Sequence, residues 1–143
     1  MKIEEQVLSI EQMKHLQELG VDTSDASMCW LKYTGTDGVV RYLINANDIS
    51  CHVMPFMDAF PTYSIGDLIE KLPKHIDSWN DNRIVIEGDE DVDYWYAVYK
   101  NRYEDAETEY FDSENLLTAL YNLLCWVAET HKELLNKKQS RIK

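Results

Sequence analysis

The segment Glu114–Leu135 constrains the fold most, because its apolar residues recur at helical spacing over several turns. Asp112 or Ser113 is predicted to cap this helix at its N-terminus. An apolar face of this width has to be buried against another layer of secondary structure, which we expect to be a sheet. The face consists of Leu116, Leu117, Leu120, Leu123, Leu124, Val127 and Leu134.

Two hairpins are predicted to supply that sheet. Each has two segments rich in β-branched and aromatic residues, separated by a turn that contains glycine and aspartate. A third strand is predicted over Ile49–Met54, where Pro55 would end it, and a less regular strand over Tyr103–Phe111. The hairpin strands are Ser27–Thr34 with Val39–Ile44, and Arg83–Glu87 with Asp93–Lys100, joined by turns at Thr34–Gly38 and Gly88–Asp91.

Two shorter helices carry capping signals. Ser9–Gln12 and Ser64–Asp67 each place an N-cap serine three residues before a side chain that can accept a bond from the cap's own N–H group. Apolar residues recur at helical spacing after each serine. The expected helices are Ile10–Leu19, ended by Gly20, and Ile65–Leu72, ended by Pro73.

The order of these elements predicts the fold class. Strands follow one another in hairpins, without the strand–helix–strand alternation of a parallel sheet and without a glycine-rich phosphate loop. We therefore expect an α+β fold, in which an antiparallel sheet of five to six strands packs against helices that include a long C-terminal helix. The length of 143 residues suits one domain, predicted over residues 1–136, with a basic C-terminal tail at 137–143.

Several phrases, together with the order of elements, resemble a family of small acidic proteins encoded by gut anaerobic bacteria and their phages or mobile elements. The resemblance would span most of the chain and implies a shared α+β fold. No function is established for that family, so it implies no activity and no site residues. The phrases are Glu5–Ser9 leading to Glu18–Gly20, Pro61–Tyr63 leading to Leu72–Pro73, and Leu124–Glu129.

The charge balance excludes some classes of partner. The chain has 26 acidic and 14 basic residues, a formal net charge of -12. Residues 77–114 alone contain 13 acidic and 3 basic residues, a net charge of -10. Direct binding of nucleic-acid backbones requires a basic face, and an anionic membrane surface would repel this chain. A basic protein is the partner that the charge favours.

Cysteine usage indicates a cytoplasmic protein with reduced thiols. Cys29, Cys51 and Cys125 are odd in number and far apart, whereas a secreted protein usually pairs its cysteines. The first residues lack the apolar run of a signal peptide, and no stretch reaches the length of a membrane helix.

Two motifs could bind metal. In Asp89–Asp93 the acids take positions 1, 3 and 5 of a calcium loop, but Tyr94 and Lys100 replace the required glycine and glutamate. A looser cation site in Asp89–Asp93 and a solvated turn are both compatible with this motif.

Cys51 and His52 are adjacent, yet neighbouring strand residues point to opposite faces, and a zinc site needs two further ligands. We expect a buried thiol beside an imidazole, and no metal or cofactor.

Aromatic residues crowd the same acidic part of the chain. On the strand Asp93–Lys100, Trp95 and Tyr99 would share one face, with Tyr94 and Tyr96 on the other. Tyrosine and tryptophan are enriched in binding hot spots, so one face is a candidate recognition surface; core and edge packing is the alternative. The candidate surface consists of Asp89, Glu90, Asp91, Asp93, Trp95 and Tyr99.

These features favour a non-enzymatic interaction or accessory protein of phage or mobile-element origin. A basic partner protein is expected, with mimicry of nucleic acid as a special case, and a homo-oligomer is compatible with the sequence. The alternative is a small-ligand-binding protein or an enzyme whose site is assembled from scattered residues, where Cys51, His52 and the aromatic residues would be the first candidates. A deep apolar pocket with converging polar groups would favour this alternative.

Overall fold

A computed structural model describes residues 5–53, 56–77, 82–89, 94–101 and 111–135. It confirms the α+β class, with antiparallel strands packed against helices that include a C-terminal helix. None of the helices within these ranges is both long and apolar enough to cross a bilayer. The helices are α1 (Ile10–Glu18), α2 (Ile49–His52), α3 (Ile65–Lys71), α4 (Leu116–Thr130) and α5 (Lys132–Leu135). The strands are β1 (Met28–Thr34), β2 (Val40–Ala46), β3 (Asp58–Thr62), β4 (His75–Asp77), β5 (Asn82–Asp89), β6 (Tyr94–Asn101) and β7 (Phe111–Ser113).

The described strands form two sheets, where the sequence led us to expect one. The first has three strands in the order β2-β1-β3, and the second has four in the order β4-β5-β6-β7. Both predicted hairpins are present, as β1 with β2 and as β5 with β6, and every pairing is antiparallel. The hairpins therefore belong to separate sheets, and the turn residues predicted only the pairing within each hairpin.

The prediction of a strand over Ile49–Met54 is wrong. Residues Ile49–His52 form the short helix α2, because the chain turns sharply after β2. The Cys51 N–H group donates to Asp48 O (3.1 Å) within this turn. Asn47 Nδ2 donates to Ala26 O (2.9 Å), which connects the turn to the segment before β1. The third strand of the sheet is instead β3, which contains Pro61.

Pro61 is tolerated because β3 lies at an edge of its sheet. It faces Cys29 of β1 across the pairing. The odd-numbered residues of β1 make their backbone hydrogen bonds to β2. Cys29 and Pro61 are therefore a non-hydrogen-bonded pair between β1 and β3, and the proline nitrogen points away from β1. A strand added outside β3 would find no N–H donor there.

Both short helices begin as predicted. The Ser9 hydroxyl accepts from Gln12 N (3.1 Å) while Gln12 Oε1 accepts from Ser9 N (2.9 Å). Ser64 and Asp67 make the same reciprocal pair of bonds. Gly20 follows α1 with a φ of 91°, the left-handed region that favours glycine.

The C-terminal helix differs from the prediction at both ends. Asn115 is the N-cap, in place of Asp112 or Ser113, and its Oδ1 accepts from Leu117 N (2.8 Å). Ser113 belongs to β7, and its hydroxyl accepts from Asn115 N (3.1 Å). The helix ends at Thr130, because His131 leaves helical geometry (φ -137°, ψ 42°) before α5 begins.

Some predictions fall outside the described residues. Of the predicted turn Gly88–Asp91, Gly88 and Asp89 belong to β5, while 90 and 91 lie beyond the described ranges. Of the predicted strand Tyr103–Phe111, only Phe111 is described, as the first residue of β7. The basic tail at 137–143 also lies outside them.

The main core lies between α4, the four-stranded sheet and helices α1 and α3. Leu120, Leu124 and Val127 of α4 are fully buried, as the spacing of the apolar residues predicted. A smaller cluster of Cys29, Leu31 and Cys51 lies on a face of the three-stranded sheet. Cys51 of α2 and Met57 thus cover the β1 part of this face.

Truncating the α4 core face should destabilise the protein. We expect Leu120→Ala and Leu124→Ala each to lower the free energy of unfolding by roughly 2–5 kcal/mol, because each leaves a cavity in a close-packed core. Urea unfolding followed by circular dichroism measures the change. Glu129→Ala on the exposed side of the same helix is the control and should change it by less than about 0.5 kcal/mol. Parent-like midpoints for both leucine variants would show that this face is not the core.

Candidate functional site

The predicted recognition surface is described only in part. Glu90, Asp91 and Asp93 lie outside the described residues, and Asp89 is the last residue of β5, paired with Tyr94. Trp95 is 39% exposed. Its ring lies over Gly88 on the neighbouring strand, where an added Cβ would come within 3.9 Å of Trp95 Cζ3. Part of the Trp95 indole is therefore exposed to solvent, near the turn end of the β5–β6 hairpin.

Tyr99 does not belong to this surface, so that part of the prediction is wrong. Its side chain is fully buried, and its hydroxyl donates to Pro73 O (2.8 Å). Its ring centroid lies 6.3 Å from that of Trp126 on α4. Burial raises the pKa of the Tyr99 hydroxyl above its ordinary value. Tyr99 points into the core because strand alternation puts it on the helix-covered face of β6, together with Ala97.

The opposite face of the four-stranded sheet carries a row of acidic and aromatic side chains. Tyr96 of β6 pairs directly with Glu87 of β5 on one side and with Asp112 of β7 on the other. Directly paired residues share a face, and alternation puts this row on the side turned away from α4. Glu87 and Asp112 are exposed, and Tyr96 is half-buried. We call Glu87, Tyr96 and Asp112 the acidic row.

One cation already lies near the acidic row. Lys100 Nζ is 3.5 Å from Glu87 Oε1, and both side chains are well exposed to solvent. An exposed pair of this kind contributes little to stability and is screened by salt. The carboxylate of Glu87 is therefore accessible to a cation from a partner at small energetic cost.

Cys51 and His52 do not form a catalytic pair. The Cys51 thiol is buried and donates to Ala46 O (2.9 Å). The exposed His52 ring has its Nε2 2.6 Å from Asn47 Oδ1. Each side chain thus has its own partner in the turn after β2, and a nucleophile needs its base within hydrogen-bond reach.

Cys51 instead contacts Cys29, in the small cluster behind the three-stranded sheet. Burial, and secondly the neighbouring Cys51, raise the pKa of the Cys29 thiol. A raised pKa lowers the thiolate fraction, and the thiolate is the nucleophile and the metal ligand. In the part of the chain that the structure describes, no three His, Cys, Asp or Glu side chains lie close enough to share a metal ion.

An open cleft of about 730 Å³ lies between the first turn of α1 and strand β2. Trp30 and Tyr42 meet edge to face in it, with ring centroids 6.1 Å apart and planes at 90°. Arg41 is a polar group of the cleft, but its guanidinium is already held by Asp37 (2.7 Å). The cleft is lined by Ser9, Ile10, Glu11, Trp30, Tyr33, Val40, Arg41, Tyr42 and Leu43.

The side chains of β2 are unusually exposed for an apolar strand. Val40 is 46%, Tyr42 49% and Leu43 48% exposed. Among the described strands, β2 pairs with β1 alone. Sequence reasoning predicted this strand but did not single it out as a surface. The sequence signal for this surface is that apolar residues of β2 occupy both faces of the strand. The same pattern is also typical of a strand buried on both faces, so it does not identify an exposed strand.

No described strand pairs with the outer row of backbone polar groups of β2. Gly35 N donates to Val39 O at the turn, and Asn47 N donates to Ser27 O at the far end, both at 2.9 Å. Because bonded and non-bonded pairs alternate along an antiparallel ladder, the odd-numbered residues of β2 bond to β1. The N–H and C=O groups of Val40, Tyr42 and Ile44 therefore point outward.

Comparison with known proteins gives no match to this chain among protein-family models, curated proteins or solved structures. The resemblance to proteins of gut anaerobes and their mobile elements therefore stays a prediction.

The buried thiols should react slowly in the folded protein. In a Cys125→Ser variant, we expect Ellman's reagent to modify Cys29 and Cys51 at least about tenfold more slowly than in urea, because both are buried and the Cys29 pKa is raised. Absorbance at 412 nm follows the reaction. Modification at the unfolded rate would mean that this cluster opens readily, and would restore the cysteines as candidates for chemistry.

Proposed function

We propose that the protein is a non-enzymatic interaction protein that binds a basic partner protein through the outer face of the four-stranded sheet. The observation that carries the proposal is the acidic row, in which Tyr96 lies between the carboxylates of Glu87 and Asp112 in direct cross-strand register. A lysine or arginine of the partner would meet a carboxylate and an aromatic ring at one place. The role is that of an accessory factor, in keeping with the predicted mobile-element origin.

The distribution of charge supports a basic partner. Residues 77–114 carry a net charge of -10, and the acidic row belongs to this segment. A concentrated field of one sign speeds the encounter with a partner of the opposite sign. The half-buried Tyr94 and Tyr96 add aromatic area on the same face, where further burial would contribute attraction that salt does not screen.

Small-ligand binding is the second candidate function. The cleft beside β2 has the volume of a typical ligand site, and its aromatic pair would suit a flat apolar molecule. It is open to solvent, however, and Arg41 is already neutralised by Asp37. Few polar groups are then left to orient a ligand, so protein binding is the better-supported function.

Neutralising the acidic row should abolish capture of the partner. We expect tagged parent protein to enrich a basic protein from its native cells, and Glu87→Gln/Asp112→Asn to enrich it at least about tenfold less. Affinity isolation with quantitative mass spectrometry measures the ratio. The matched control is Glu18→Gln/Glu129→Gln, which removes two other exposed acids and gives the same net charge.

The control separates a specific surface from overall charge. Retained capture in the control, with loss in the acidic-row variant, supports the proposed surface. Equal loss in both would show that only the net charge matters, and an enriched partner without basic character would contradict the proposal.

The complex should also weaken with salt. At 0.15 M ionic strength the Debye length is about 8 Å, so attraction across solvent fades as salt rises. We expect affinity for the captured partner, measured by titration calorimetry, to fall between low and high salt. Changing Asp89, Glu90, Asp91 and Asp93 to Asn or Gln should flatten this dependence. An affinity indifferent both to salt and to these changes would remove the acidic segment from the interaction.

A further inference from the structure

The outer edge of β2 differs from the other strand edges in the described part of the chain. At the far side of the same sheet, β3 carries Pro61 and the charged Asp58, both of which discourage the addition of another strand. In the second sheet, the edge strands β4 and β7 have only three residues each. By contrast, β2 has seven residues in unbroken register with β1. It therefore presents a long, regular and apolar edge.

The open part of this edge has a defined length. At its C-terminal end, Ala46 O already accepts from Asp48 N and from the Cys51 thiol, and Ala46 N donates to Asn45 Oδ1. Within the described ranges, the outward backbone groups with which no strand pairs are those of Val40, Tyr42 and Ile44. This row is symmetric about Tyr42.

We propose that the β2 edge pairs with β2 of a second copy of this chain, in an antiparallel register centred on Tyr42. In that register Tyr42 faces Tyr42 of the other copy across the two-fold axis, and Val40 faces Ile44. These are the outward residues in each copy, so their N–H and C=O groups bond reciprocally. The two three-stranded sheets then join into one continuous sheet.

Side-chain chemistry favours this register. On one face, the Tyr42 rings meet at the axis, each already in edge-to-face contact with Trp30, and the Val40–Ile44 pairs flank them. On the other face, Arg41 lies opposite Leu43 and not opposite another arginine. Asp37 holds the Arg41 guanidinium, so the charge at the edge is balanced within each copy. A register centred on Arg41 would instead place like charges opposite each other.

The charge distribution identifies a second copy as the occupant. The whole chain carries -12, but residues 27–62, which contain all three strands of this sheet, have three acidic and two basic residues. The two sheets that meet in the dimer therefore carry little net charge of one sign. A basic partner would find little negative charge here, and is expected at the acidic row instead. The pairing is independent of the proposed function, although a dimer would present two acidic rows to a multivalent partner.

Sedimentation velocity over a concentration series tests the association. We expect the parent protein to shift from one to two chain masses with a dissociation constant of roughly micromolar order, as for a modest interface. Tyr42→Lys places like charges at the axis and should leave a monomer at every concentration. Ile69→Lys changes another exposed apolar residue, on α3, and should dimerise like the parent. A parent that stays monomeric throughout, or a dimer that Tyr42→Lys leaves intact, would overturn the proposal.

Disulfide trapping tests the register. In a Cys125→Ser background, Tyr42→Cys would bring its thiols together at the axis, with Cα atoms about 5.5 Å apart. Val40→Cys changes a residue of similar exposure on the same strand face, but its two copies would be roughly 13 Å apart along the strands. We expect oxidation to give a covalent dimer of the first variant at least about tenfold faster than of the second. Equal rates would overturn the register. A monomeric protein that still captures its partner through the acidic row would refute the dimer and leave the proposed function standing.

Discussion

The backbone of Leu8 fixes the three-stranded sheet to the main core through strands β1 and β3. Leu8 O accepts from Trp30 Nε1 (2.8 Å) and from the buried Thr62 hydroxyl (2.6 Å), while Leu8 N donates to Tyr63 O (3.0 Å). Strands β1 and β3 are therefore both tied to the segment before α1. Strand β2 is held to the sheet by β1 and makes none of these bonds to Leu8, and no other described strand pairs with its outer edge.

Elements specified by nearby residues were predictable from the sequence. The capping boxes at Ser9 and Ser64, both hairpins and the buried face of α4 depend on residues a few positions apart. Elements that depend on distant contacts were not. The strand at β3 forms against β1 despite Pro61, and the division into two sheets follows from pairings that no local pattern encodes. Alternation on β6 was predicted, but not that the Tyr99 face would be the buried one.

The two candidate surfaces differ in their charge and in the groups they expose. The outer face of the four-stranded sheet belongs to the segment that carries most of the negative charge, which suits it to a basic partner. The three-stranded sheet is nearly neutral and ends in a row of backbone groups with which no described strand pairs, which suits it to a further strand. The sequence indicated an acidic and aromatic surface in this segment, but its predicted residues were Asp89, Glu90, Asp91, Asp93, Trp95 and Tyr99, and it did not single out Glu87, Tyr96 and Asp112. The second could not be predicted, because whether an apolar strand lies at an edge or in the centre of a sheet depends on the order of the strands.

Residue-resolved amide exchange, followed by NMR, tests the central claim most directly: that the outer edge of β2 is open in one chain and paired in two. In dilute protein, the amides of Val40, Tyr42 and Ile44 should exchange rapidly, while those of Arg41 and Leu43 are protected by their bonds to β1. At high concentration, exchange at Val40, Tyr42 and Ile44 should slow together, and exchange at Arg41 and Leu43 should change little. Protection of the first three amides in dilute protein, or exchange at these positions that does not depend on concentration, would contradict the account.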